Sequence, residues 1–79
     1  MSASTADAIR TAIEGAIAGA RVEVTPGSGG HFSIAVTSRA FEGLSRVDAQ
    51  RLVYSAIAHL MKGDAAPVHA VDSLKCVVA

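Results

Sequence analysis

The stretch Phe41–Met61, FEGLSRVDAQRLVYSAIAHLM, joins a turn, a helix start and a long amphipathic run, and it limits the available folds more than any other segment. Gly43 interrupts regular structure. Ser45 carries a hydroxyl placed to accept backbone N–H groups of a first helical turn, and Asp48, three positions on, suits the positive end of the helix dipole. A helix is therefore predicted to begin near Arg46 and to end at Gly63. Ala49, Val53, Ala56, Ile57 and Leu60 recur at spacings of three and four, giving one apolar stripe, with Arg46, Gln50 and His59 outside it. Such a stripe has to be buried against a sheet or another helix, so this element is predicted to be the central helix of a small domain.

The preceding residues supply partners for that stripe. Ser4 or Thr5 is placed to cap a first helix whose apolar face is Ile9, Ala12, Ile13, Ala16, Ile17 and Ala20, ending at Gly19. Arg21–Thr25 alternates polar and apolar residues, the pattern of a strand with Val22 and Val24 inward. Pro26–Gly30 reads as a loop, since its proline lacks a donor and its glycines lose much entropy on ordering. Alternation resumes from His31 to Thr37, with Phe32, Ile34 and Val36 on one face. The short Gly-rich connection makes these two strands antiparallel. Ser38–Phe41 is predicted to form a turn or a single helical turn in which Phe41 plugs the core. Beyond the long helix, Gly63–Pro67 reads as a loop and Val68–Val78 as a third strand. The predicted class is α+β, in the order α-β-β-(short α)-α-β, as one domain over residues 1–79.

At 79 residues there is room for a single core and none for a deep enclosed active site. Seven basic and seven acidic residues cancel, so no strong overall field recruits nucleic acid or anionic membrane. No apolar run approaches the roughly 20 residues of a membrane span. The N-terminus has no basic segment ahead of an apolar one, and a lone cysteine, Cys76, excludes an internal disulfide framework. These features together predict a soluble cytoplasmic chain. No serine sits in a nucleophile elbow and no helix carries a metalloprotease-like motif, so no catalytic function is predicted.

The order of elements has a geometric consequence. The second and third strands are joined by a helical crossover long enough to let them run parallel. If they are neighbours, their N-terminal ends meet at one edge of the sheet. His31 opens the second strand and His69 the third, which would bring two imidazoles and a Gly-rich loop together.

On these residues the chain resembles the BolA-like family. The resemblance rests on His31-Phe32 entering a strand, Ser38 followed by Phe41-Glu42-Gly43, Arg51-Leu52-Val53-Tyr54 in the long helix, and Val68-His69-Ala70-Val71, and it covers Val22–Lys75. Gly43-Leu44-Ser45-Arg46-Val47, with Gln50 and Val53-Tyr54, resembles the short bacterial IbaG-type branch. The resemblance implies an αββααβ, class II KH-like, two-layer domain with a three-stranded mixed sheet. It implies partnership with a monothiol CGFS glutaredoxin around a shared [2Fe-2S] cluster, with glutathione from the partner side, in cluster assembly, transfer or iron sensing. It also implies that His69 is an iron ligand or a close neighbour of the cluster, and that a second ligand comes from the loop between the first two strands. Where several family members carry Gly-Cys-Gly in that loop, this chain has Gly27-Ser28-Gly29, and an alcohol does not supply a thiolate to iron. His31 is the only histidine on that side. Where relatives commonly continue past the third strand with a Thr-Pro-x-Glu-Trp-like segment, this chain has Lys75–Ala79, which implies a missing final helix or a truncation.

Other readings of these residues stay open at this point. His69 also fits a strand-end residue bonded to backbone, and His31 one that merely covers the sheet edge. Cys76 lies too far along an extended strand to share a small site with His69. The KH-like fold suggests an alternative role as a DNA-binding transcriptional regulator of stress response or cell morphology, with Arg39, Arg46 and Arg51 as the phosphate contacts. The KH clamp Gly-x-x-Gly is replaced by Gly43-Leu44-Ser45-Arg46, and the balanced charge predicts weak, salt-sensitive binding. A homodimer is compatible with either role. Pro26–Gly30, rich in glycine, is expected to be mobile in the free protein and to order on binding.

Overall fold

The computed structural model describes residues 4–63 and 65–79. Asp64, in the loop expected after the long helix, and the first three residues lie outside the described residues. Helix α1 (Thr5–Ala16) leads into strands β1 (Arg21–Pro26) and β2 (His31–Thr37). A 3-10 turn (Arg39–Phe41), helix α2 (Arg46–Ile57), a second 3-10 turn (Ala58–Leu60) and strand β3 (Ala70–Val77) follow. The sheet order is β1-β2-β3, with β1 antiparallel and β3 parallel to β2, so the expected mixed three-stranded sheet is present.

Both helices start on a serine cap. The Ser4 hydroxyl accepts from the Asp7 N–H and the Ser45 hydroxyl from the Asp48 N–H, each at 3.1 Å, satisfying donors that the first turn leaves open. The helices pack on one side of the sheet. Ile9, Ile13 and Ile17 from the first helical segment, Ala49, Val53 and Ile57 from α2, and Val22, Phe32, Ile34 and Val36 from the sheet are buried in one cluster, with Phe41 filling it from the 3-10 turn. Burying each large aliphatic side chain contributes about 1.5–3 kcal/mol, so this alternation of faces is what selects the strand register.

Several boundaries differ from those the sequence suggests. Helix α1 stops at Ala16, and Ile17 turns to extended dihedrals so that its side chain still enters the core. Helix α2 tightens into the 3-10 turn after Ile57, before Gly63 is reached. Strand β1 takes in Pro26, which pairs with Phe32; an outer strand tolerates a residue without an N–H. Strand β3 begins at Ala70, because Val68 drops into the core instead, its N–H donating to the Leu60 carbonyl at 3.1 Å.

Within β3 the register shifts. Phe32 pairs with Val71 but Ser33 pairs with Ser73, leaving Asp72 as an extra residue, a β-bulge. A regular pleat would turn Ser73 inward and Leu74 outward. The inserted residue keeps Val71, Leu74 and Cys76 packed against the core and puts both Asp72 and Ser73 at the surface.

Candidate functional site

The parallel pairing brings His31 opposite Ala70, and therefore beside His69. The two ring centres are 5.7 Å apart and the ring planes tilt by 41°. Their approach depends on the backbone of the β1–β2 loop. The Gly27 N–H donates to the His31 carbonyl at 2.7 Å and the His31 N–H to the Ser28 carbonyl at 3.3 Å. Gly30 has φ +78°, and its carbonyl accepts from the N–H groups of His69 at 2.8 Å and Ala70 at 3.3 Å. A Cβ on Gly30 would lie 3.0 Å from the His69 Cβ. The absence of a side chain there lets the two histidine-bearing segments touch. The loop is thus anchored through its backbone, whereas the sequence, which shows only its small side chains, suggests nothing to hold it.

A third side chain joins the pair. His31 Nδ1 lies 2.8 Å from the Asp72 Oδ1. A carboxylate only accepts, so Nδ1 carries the proton and a neutral His31 offers its lone pair at Nε2. Neither side chain is deeply buried, at 40% exposure for His31 and 54% for Asp72, and His69 is also exposed. This edge is open to a second molecule. Asp72 is the residue that sequence reasoning missed. The signal was present in Val71-Asp72-Ser73-Leu74, where apolar spacing jumps from two to three, as it does across a bulge.

The two imidazoles suit a shared metal. Rings that bind one first-row metal through nitrogen at about 2.0–2.1 Å hold their centres roughly 5–6 Å apart, the spacing seen here. Among the described residues no group of three His, Cys, Asp or Glu side chains forms a complete metal site. A metal held by His31 and His69 therefore needs further donors beyond the described residues.

The other candidates lie elsewhere. Cys76 pairs with Val36, five residues along β2 from His31, or roughly 16 Å at about 3.3 Å per residue. It is a half-buried strand residue, and burial pushes its thiol pKa up. Arg39 lines a depression with Ala18, Gly19 and Ala79, while Arg46 lines a different one with Gln50, Leu74 and Lys75. Arg51 reaches Asp48 at 3.5 Å. His59 is exposed, bordering a groove between α1 and α2.

The BolA-like protein family model matches residues 9–77. The chain belongs to the BolA-like family. The human BolA-like protein 1 is 43% identical over 72 residues, a match covering 80% of this chain and 50% of that protein. The BolA-like protein 1 of Pongo abelii is 42% identical over the same length. The chain spans about half the length of these curated relatives. Among solved structures, a Bol-like protein from Babesia bovis superposes with a TM-score of 0.71 at 30% identity, covering 98% of this chain and 87% of that one. The α+β BolA-like fold expected from the sequence is therefore the fold of this chain. No helix among its described residues is long and apolar enough to cross a membrane.

Proposed function

We propose that this BolA-like chain is a non-catalytic binding module that pairs with a monothiol CGFS glutaredoxin around a shared [2Fe-2S] cluster, in cluster assembly, transfer or iron sensing in the cytoplasm. His69 and His31 supply the imidazole donors, and the partner supplies its cysteine and glutathione. The observation that carries this reading is the pair of histidines 5.7 Å apart at an open sheet edge, one of them held by a carboxylate. Two donors from one chain form an incomplete site, which suits a cluster shared between two proteins. Imidazole in place of thiolate raises a cluster's reduction potential, a property suited to transfer and sensing.

The test is a titration of the chain with a monothiol glutaredoxin, with and without reconstituted cluster, followed by visible absorption and circular dichroism. Cluster-dependent formation of a heterocomplex with a spectrum distinct from that of the glutaredoxin alone is the expected result. A spectrum and lability unaffected by His69→Ala would remove His69 from the ligand set.

Support for a DNA-binding role is thinner, because Arg39 and Arg46 border separate depressions and Arg51 faces Asp48. Binding to duplex or single-stranded DNA is expected to be weak and to fall steeply with salt.

A further inference from the structure

We propose that Asp72 is the positioning residue of the site: through Nδ1 it fixes the tautomer and ring orientation of His31, so that His31 presents Nε2 as its donor atom. The inference rests on the cluster-binding reading for what Nε2 meets, and on the geometry of the free chain for the pairing itself. Two observations converge on it. The Asp72 Oδ1 is 2.8 Å from His31 Nδ1. Asp72 is the extra residue of the β3 bulge, and that insertion places its carboxylate on the surface beside the first residue of β2. Bulge and hydrogen bond serve one contact.

The chemistry follows from the pairing. An imidazole with Nδ1–H bound to a carboxylate is held in one of its two tautomers and becomes a stronger electron donor at Nε2. It also loses rotational freedom before any ligand arrives, so less ordering remains for binding. Ser28 offers no thiolate in the loop, and a carboxylate-backed imidazole provides a firmer second donor than an imidazole alone.

The experiment combines side-chain NMR of the free protein with cluster measurements on the complex. In 15N-labelled wild type above about pH 8, where histidine is ordinarily neutral, long-range 1H–15N correlations should show His31 as the Nδ1–H tautomer. In Asp72→Ala, His31 should move to the Nε2–H-rich mixture of a free imidazole while His69 stays unchanged, with the amide spectrum verifying the fold. With the glutaredoxin and cluster present, Asp72→Ala should lose cluster to a chelator about ten-fold faster. Asp72→Asn, whose amide oxygen can still accept from Nδ1–H, should retain the tautomer but raise the cluster's potential through loss of the negative charge. A wild-type chain that takes up cluster with His31 in the same tautomer in all variants overturns the proposal and leaves the functional reading standing. Unchanged cluster loss in Asp72→Ala, despite a switched tautomer, overturns the positioning role. A tautomer switch in Asp72→Ala, when the wild-type chain takes up no cluster, overturns the functional reading, and with it any ligand role for Nε2, but not the pairing.

Discussion

Strands β2 and β3 run side by side, and their two ends are built in opposite ways. Where β2 finishes, Ser38 is wholly buried and ties several segments together. Its hydroxyl donates to the Ala18 carbonyl and accepts from the Ala40 N–H, both at 3.0 Å, while its own N–H donates to the Val77 carbonyl at 3.0 Å. Where β2 starts, backbone bonds through Gly27, Ser28 and Gly30 hold the segments together, and His31, His69 and Asp72 keep their side chains at the surface, with one exposed side-chain bond between His31 and Asp72. One end uses a polar side chain to lock the fold. The other is locked by glycine-rich backbone, which frees its polar side chains for an outside partner. A polar residue in a small domain is thus best judged by what its hydrogen bonds already satisfy.

The sharpest way to break this comparison is at the buried end. Ser38→Ala removes both hydroxyl bonds and strands the Ala18 carbonyl and the Ala40 N–H, so it is expected to cost about 1–3 kcal/mol, read from urea denaturation midpoints. A neutral effect would mean that the hydroxyl does not hold these segments. Next comes Gly30→Ala, which forces a side chain into φ +78° and against the His69 Cβ. The expected loss is about 1–2 kcal/mol, with displaced His69 signals in NMR spectra. Stability and His69 signals like those of wild type would show that the close approach is not needed.

At the open end, His31→Ala and His69→Ala are expected to change stability by no more than about 0.5 kcal/mol, since both side chains are solvent-accessible. A large loss from either, in the absence of any partner, would make that histidine structural. The smallest effect concerns Cys76, whose thiol pKa is raised by burial. Its folded-state pKa lies above its unfolded value, so its contribution to stability is full below about pH 8.5 and is lost as pH rises through the folded value. Wild type should therefore lose slightly more stability than Cys76→Ala between neutral and alkaline pH. Equal losses would show that the thiol titrates as it does in the unfolded chain.

What the sequence reveals here is mostly local or periodic. Ser4 and Ser45 are recognisable as caps because the hydrogen bond spans three residues, and Phe32, Ile34 and Val36 announce their face by alternation. The meeting of His31 and His69 is legible one level up, from the parallel crossover, because both residues stand at strand starts. The His31–Asp72 contact spans 41 positions and depends on a one-residue register shift, which no local propensity specifies. Ser38 likewise looks like any turn serine until the Ala18 carbonyl, 20 residues away, is seen to meet it. The 3-10 end of α2 was hidden for a different reason, because tertiary packing of Ile57 and Val68, and not helix propensity, decides where that segment turns.

The β3 bulge also bears on self-association. As an outer strand, β3 turns unpaired N–H and C=O groups toward solvent, the template onto which stray strands add. The inserted Asp72 breaks the even spacing of those groups and plants a negative charge beside them, while on the far side of the sheet Pro26 removes a donor from β1. Each flank of this small sheet thereby carries its own stop against fibre-like growth, and on one flank the stop is the same residue that steadies His31.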